Sequence, residues 1–213
     1  MSSGTPPHAS PPGPPPGTPD GSPPGDTPSP LLAALLGLAP LADLPRTGWL
    51  QVGIAPGLAV ESVAAHAHGV TLLAMALAPA VDPPLDLGRV LALCTAHDLA
   101  EAGLGDLPRA GSAALPAGAK AGAEARLAED LTADLGPGGA ALLEAWRAYQ
   151  AGDEREARFA RLCDTLQMGL RALVLARAGH RGLAGFRESL ARLDAKEFDA
   201  CEALKVELEM NLR

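Results

Sequence analysis

The sequence predicts an all-α fold, a bundle of about seven or eight helices behind a disordered proline-rich tail, and three observations predict it. From Ser29 onward apolar residues recur at three- and four-residue spacing, with start and stop signals between the runs. No stretch shows the alternating Val/Ile/Thr-rich pattern of a strand. Residues 1–30 hold 12 of the 21 prolines, with Gly, Ser and Thr filling most of the remainder. Such a segment lacks apolar side chains to bury and is expected to be disordered with polyproline II character. The division is therefore a tail over 1–30 and a domain over 31–213. The tail has PxxP-like spacings without flanking arginines, which reads as a solubilising tether.

The elements follow in order. Ser29 and Pro30 form an N-cap and first helical residue for LLAALLGLAPLADL. PRTGWLQVGIAPGLAVE is a loop broken by Gly48, Gly53, Pro56 and Gly57. Ser62 caps VAAHAHGVTLLAMALA, and Asp86 caps one helix, LGRVLALCTAHDLAEAG, which Gly103 ends. Leu107–Ala119 reads as a loop and Lys120–Leu135 as an amphipathic helix. Pro137–Gly139 breaks the chain before Ala140–Ala151, where Trp146 and Tyr149 stand at helical spacing. Glu154–Ala178 is the longest uninterrupted helical pattern, and Leu183–Leu193 and Lys196–Leu212 complete the set. No repeat period is visible.

The formal charge of −8 and the absence of any Lys/Arg run argue against a nucleic-acid binder. An anionic substrate must be held by a few local cations or a metal. Cys94, Cys163 and Cys201 form no C-x-x-C pair and read as reduced thiols, with Cys94 and Cys163 as small buried hydrophobes. No secretory signal is apparent, and the apolar stretches fall short of the roughly 20 residues that span a bilayer. A soluble, cytoplasmic protein with no membrane partner is expected.

Several familiar catalytic sites are absent: no Walker A loop, no G-x-G-x-x-G after a strand, no G-x-S-x-G and no H-E-x-x-H. Metal chemistry remains. His97 and Asp98 are adjacent and project about 100° apart on a helix. His66 adds a second imidazole, and Asp164 interrupts the apolar pattern ARFARLCDTLQMGLRALVLA. Such a mixed N/O set suits Mn, Co, Fe, Ni or Zn, and more weakly Mg. For each residue a plainer role stands beside this one: a core or surface histidine, a solvated aspartate, a loop arginine, a tryptophan that staples a loop.

ESVAAHAHG, then LCTAHDLAEAGLGDLP, then RFARLCDTLQ resembles the H…HD…D signature of HD-domain phosphohydrolases, in the branch that contains the bacterial 5′-deoxynucleotidases. PRTGWL matches the early Arg and Trp of that branch, and the resemblance covers roughly residues 31–200. It implies a single HD-domain bundle with one divalent metal ion held by His66, His97, Asp98 and Asp164. It further implies Glu101 as the catalytic acid, Asp106 as an aspartate required near the substrate, Arg46 as the phosphate-holding arginine and Trp49 beside the sugar. Thr47 and Gly48 separate Arg46 from Trp49, which are adjacent in the best-known bacterial members. Ala65 stands where an acidic residue is common, removing a contact behind His66, and His68 is assigned to packing or pocket lining. Two-metal members need further histidines after the H-D pair; residues 99–179 contain none, which favours one metal.

The expected activity is hydrolysis of deoxynucleoside 5′-monophosphates to nucleoside and phosphate, by a homodimer as is common in the family. Two alternatives remain open. One is a nucleoside triphosphohydrolase or other small-phosphate hydrolase with the same site; the other is a nucleotide-binding scaffold that uses its Pro-rich tail.

Overall fold

The structure, a computed structural model, describes residues 27–54 and 60–212. The expected disordered tail falls almost wholly on residues 1–26, outside the described residues. Among the described residues eleven α-helices follow one another: α1 (Pro30–Leu38), α2 (Thr47–Gln51), α3 (Val63–Leu77), α4 (Leu87–Ala96), α5 (Glu101–Leu104), α6 (Arg109–Ala113), α7 (Ala119–Thr132), α8 (Gly136–Ala151), α9 (Arg155–Arg177), α10 (Ala184–Ala191) and α11 (Asp199–Asn211). Eight of them run for eight residues or more, in line with the seven or eight expected. Among the described residues there is no strand, only an isolated bridge between Pro45 and Ser62.

The expected caps form. Ser29 Oγ accepts from the Leu32 N–H at 3.2 Å, Ser62 Oγ from Ala65 at 3.2 Å and Asp86 Oδ1 from Arg89 at 3.0 Å. Each satisfies a backbone donor that the first helical turn leaves without a partner.

Three expectations need correction. The helix predicted over Leu87–Gly103 is not continuous: α4 ends at Ala96, His97–Ala100 is a turn, and α5 resumes at Glu101. The His97 Nδ1 lies 2.7 Å from the Cys94 carbonyl, the oxygen an unbroken helix would offer to the Asp98 N–H. The turn tightens onto three-residue bonds, Leu99 N–H to Ala96 at 3.0 Å and Glu101 N–H to Asp98 at 3.0 Å. Pro137–Gly139, read as a break, is instead the first turn of α8, where a proline without an N–H is tolerated. The two expected loops each contain a short helix, α2 and α6.

Glycine has a specific reason at position 139. A Cβ there would stand 2.1 Å from the Thr132 carbonyl oxygen, so only hydrogen permits α8 to leave α7 so closely.

The α3, α4 and α9 helices pack on one another, α8 lies across α4 and α9, and α10 and α11 cover the other side of α9. Their inward residues form a large apolar cluster that includes Val70, Val90, Leu93, Phe159, Leu166, Leu175 and Phe198. A second cluster under α7 and α8 gathers Ala96, Leu99, Ala100, Ala128, Ala145 and Trp146. The polar turn at His97 stands where the two clusters meet. All three cysteines are free and buried.

The segment Val63–Ala80 is long and apolar enough to cross a membrane by length and composition (18 residues, mean hydropathy 1.4), longer than the sequence runs suggested. In the structure one face of it, with Val63, His66, Val70 and Ala74 buried, packs on α4 and α9. The start of α4 is tied down by Arg89, which forms bidentate pairs with Glu144 (2.5 and 2.7 Å) and Glu154 (2.8 Å each).

Gly139→Ala should force apart two backbones and lose about 1–3 kcal/mol of stability in urea unfolding. Gly138→Ala, where an added Cβ meets nothing within 4 Å, should leave the midpoint unchanged.

Candidate metal and phosphate site

Four separate segments supply the polar cluster. The fourth residue of α3 is His66, the turn after α4 holds His97 and Asp98, the start of α5 holds Glu101, and the middle of α9 holds Asp164. His66, His97 and Glu101 are 1%, 3% and 7% exposed, so their polar atoms must find partners inside the protein.

Their hydrogen bonds settle which imidazole nitrogen carries hydrogen. Gln167 Nε2 donates to Glu61 Oε2 at 3.1 Å, which leaves Gln167 Oε1 to accept from His66 Nδ1 at 2.6 Å. Likewise the Cys94 carbonyl can only accept, so His97 Nδ1 donates to it. In their neutral forms both rings therefore present an Nε2 lone pair. His66 Nε2 stands 2.9 Å from Asp164 Oδ1 and 3.9 Å from Asp98 Oδ2. His97 Nε2 stands 3.1 Å from Asp98 Oδ2 and has no hydrogen-bond partner. Lone pairs facing carboxylates at these distances are satisfied by a proton or a metal cation between them.

A divalent ion fits that requirement. Donor atoms of His66, His97 and Asp164 all lie within 4.8 Å of one another, and donors sharing one ion at about 2.0–2.2 Å stand about 3–4 Å apart. The buried His97 Nε2 is the orphan atom such an ion would satisfy. Asp98 lies beside these three, its Oδ2 3.1 Å from His97 Nε2 and 3.1 Å from Arg46 Nη1. Without an ion the field draws protons instead. Burial acts to lower His97, yet Asp98 and Asp164 pull it up to about 9. Burial acts to raise Asp164, yet the bond from His66 and the charges of His97 and Arg46 hold it well below the carboxylate range. A metal would take the place of these protons.

Arg46 caps α2 and reaches three carboxylates: Asp98 at 3.1 Å, Asp106 at 3.4 Å and Glu101 at 3.7 Å. Burial opposes its charge, but Asp98, Asp106 and Glu101 together raise its pKa above the ordinary value. Asp106 is oriented by Thr47, whose N–H and hydroxyl both donate to it, the hydroxyl at 2.6 Å from Oδ2. Burial pushes Glu101 up to about 8, with Asp98 adding to the rise, so the carboxyl carries a proton at neutral pH and can donate it.

Trp49 is buried, donates from Nε1 to Glu61 Oε1 at 3.0 Å and stacks on Phe186 with ring centroids 4.0 Å apart. It walls a cavity of about 630 Å3, with Arg46, His66 and Asp106 at one end and Met168, Leu107 and Phe186 along its sides. This volume suits a small organic molecule.

The structure brings together all eight residues singled out from the sequence, with Trp49 joined to the others through Glu61 and Gln167. Two expectations about neighbours fail. The contact behind His66, thought lost with Ala65, comes from Gln167 on α9. His68 is exposed rather than packed, because two positions beyond His66 on a helix faces the opposite way. Sequence reasoning missed Gln167, Thr47 and Tyr149. Tyr149, whose hydroxyl donates to Asp164 Oδ2 at 2.9 Å, was noted only for its spacing with Trp146. Gln167, one turn after Asp164 in an apolar helix, was the detectable signal: a buried amide needs partners.

Comparison with known proteins agrees with this architecture. The HD domain family profile matches residues 39–204. Mouse (Mus musculus) 5′-deoxynucleotidase HDDC2 is 29% identical over 148 residues, 67% of this chain and 68% of that protein, and the human (Homo sapiens) protein likewise over 66% of its length. The chain thus spans about two thirds of the length of these curated relatives. The crystal structure of the PH0347 protein from Pyrococcus horikoshii OT3 superposes with a TM-score of 0.69 at 28% identity, over 85% of this chain and 98% of that one. A predicted metal-dependent phosphohydrolase from Magnetospirillum magnetotacticum MS-1 shares the fold, with a TM-score of 0.63 at 23% identity over 85% of this chain and 92% of that one. A helical bundle that gathers an H…HD…D set into one buried cluster, matched by the profile over most of its length, belongs to the HD-domain family of phosphohydrolases.

Proposed function

We propose that the chain is a metal-dependent 5′-deoxynucleotidase that hydrolyses deoxynucleoside 5′-monophosphates to nucleoside and orthophosphate. The observation that carries the reading is the pair of buried imidazoles whose Nε2 atoms face Asp98 and Asp164 beside Arg46, at the end of a cavity walled by Trp49 and Phe186. The curated relatives named 5′-deoxynucleotidases support the substrate class. Within this reading residues 31–213 form the catalytic unit, working in the cytoplasm as a homodimer.

His66, His97, Asp98 and Asp164 would hold one divalent ion, Co or Mn or another transition metal, with Mg as a further option. When bound, such an ion supplies Lewis-acid charge that polarises a phosphoryl oxygen and lowers the pKa of water. The remaining work falls to the protein. Arg46, fixed by Asp98 and Asp106, neutralises the phosphoryl oxygens and sets their orientation. Asp106, pinned by Thr47, keeps Arg46 from turning away. Water attacks phosphorus as the bond to the 5′-oxygen breaks. Glu101 passes its proton to the departing oxygen and recovers one from the attacking water, so the products are an alcohol and orthophosphate. The Gln167–Glu61 relay holds His66 and Trp49 in register, so the sugar wall and the metal ligand move together.

Chelator-treated protein should release no orthophosphate from dAMP, dGMP, TMP, dCMP or dUMP, and Mn or Co should restore release. Pyrophosphate or triphosphate release from nucleoside triphosphates, with no release from monophosphates, would overturn the substrate assignment. Asp164→Ala should abolish the restored activity; full activity in that variant sinks the metal assignment. Glu101→Gln keeps the shape but loses the transferable proton, and kcat should fall by about 10²–10⁴. Trp49→Phe should cut the preference for dAMP over AMP by about tenfold, measured as the ratio of kcat/KM values; an unchanged ratio removes Trp49 from sugar selection.

A further inference from the structure

The cavity of about 630 Å3 has a stretch of polar wall that the chemistry at Arg46 leaves unused. Beyond the polar residues already described, its lining includes Gln51, Arg109, Glu188, Ser189 and Arg192. Three of these five lie on α10 or just past its end. Gly185, Phe186, Glu188, Ser189 and Arg192 share one side of that helix, because positions three and four apart fall on the same face. Leu183 and Leu190, each 1% exposed, anchor α10 in the core, and Phe186 stacks on Trp49. The helix that braces the ring wall therefore also brings charge to the cavity.

Glu188 and Arg192 stand one turn apart, and Arg192 Nη2 donates to Glu188 Oε2 at 2.8 Å. Their side chains are 64% and 68% exposed. An exposed pair of this kind adds little to stability, so the fold has small need of it. The bond uses one oxygen and one nitrogen. Glu188 Oε1 remains to accept, and the rest of the guanidinium remains to donate. The pair thus presents acceptors beside donors to whatever fills the cavity. Ser189 adds an acceptor: its hydroxyl donates to the Gly185 carbonyl at 2.9 Å, which leaves its oxygen lone pairs for a ligand.

Among the nucleobases, guanine has the matching order. Its N1 and N2 hydrogens are neighbouring donors, and its O6 and N7 are neighbouring acceptors. Adenine and cytosine would turn a ring-nitrogen lone pair toward the carboxylate, and thymine has a single N–H between two carbonyl oxygens. We infer that Glu188 and Arg192 read the base and that the preferred substrate is deoxyguanosine 5′-monophosphate. Glu188 accepts from N1–H and N2–H, and Arg192 donates to O6 and N7. This deepens the deoxynucleotidase reading above and rests on it: the phosphate lies at Arg46, the base at α10, and one cavity borders both.

The test compares dGMP with dAMP in two measurements. For the Mn-loaded full chain, kcat/KM for dGMP should exceed that for dAMP by about tenfold. Glu188→Ala and Arg192→Ala should each bring that ratio close to one; the pair is exposed, so both variants should fold. A ratio near one in the unsubstituted chain overturns the inference, and so does a ratio that neither variant changes. In calorimetric titration of the chelator-treated full chain, where no hydrolysis intervenes, dGMP should bind about tenfold more tightly than dAMP. Equal binding, tighter binding of dAMP or binding of neither overturns the inference. A chain that hydrolyses neither nucleotide yet binds them in the expected order upholds the base-reading pair and overturns only the proposed activity.

Discussion

Two imidazoles and a carboxyl lie almost fully out of water between two apolar clusters, with three further carboxylates half-buried around them, and the rest of the structure answers to that burden. Isolated charges in such surroundings cost several kcal/mol or more. The protein offsets this in layers. Gln167 and the Cys94 carbonyl take the outward nitrogens of the two rings, Tyr149 takes one oxygen of Asp164, and Arg46 answers Asp98, Glu101 and Asp106 together. What stays unanswered is the inner face of the cluster, where lone pairs look at carboxylates. That residue of negative potential is the feature that a bound cation would answer.

The same burden shapes the backbone. An unbroken α4 would carry Asp98 and Glu101 along a straight helix, with each residue turning 100° from the last. The imidazole of His97 instead takes the carbonyl of Cys94, the chain tightens into three-residue bonds, and α5 starts only at Glu101. Glu101 then comes within 3.7 Å of Arg46, which arrives from a segment more than fifty residues away. Thr47, the residue after Arg46, grips Asp106 through both its N–H and its hydroxyl, so the loop that carries the arginine is fastened at the site itself.

Behind the cluster, Glu61 links the cavity wall to the candidate metal ligands. Its two oxygens accept from Trp49 and from Gln167, and Gln167 in turn orients His66. Support of this kind, one step behind the candidate ligands, sets both the tautomer and the aim of the ring. The tryptophan that walls the large cavity is thus mechanically continuous with a histidine of the cluster, and Phe186 from α10 stacks on it.

Much of this was legible in the chain alone. Caps and apolar periodicity identify Ser29, Ser62 and Asp86 as helix starts because local hydrogen bonding decides them. The order and spacing of His66, His97–Asp98 and Asp164 mark the candidate cluster because two imidazoles and two carboxylates on apolar helices call for a common partner. Local pattern did not reveal the break at His97, where a side chain competes with the backbone for one carbonyl, nor Pro137 as a helix start. Thr47 and Tyr149 carry no local signal of a role, since a hydroxyl acquires one only from what the fold sets beside it. The sequence by itself determined that the chain is helical and which residues are chemically able to bind metal and phosphate. Only the tertiary structure decided which nitrogen each histidine presents, what holds Arg46 in place and that one cavity borders both Arg46 and α10, because these depend on contacts between segments up to 106 residues apart.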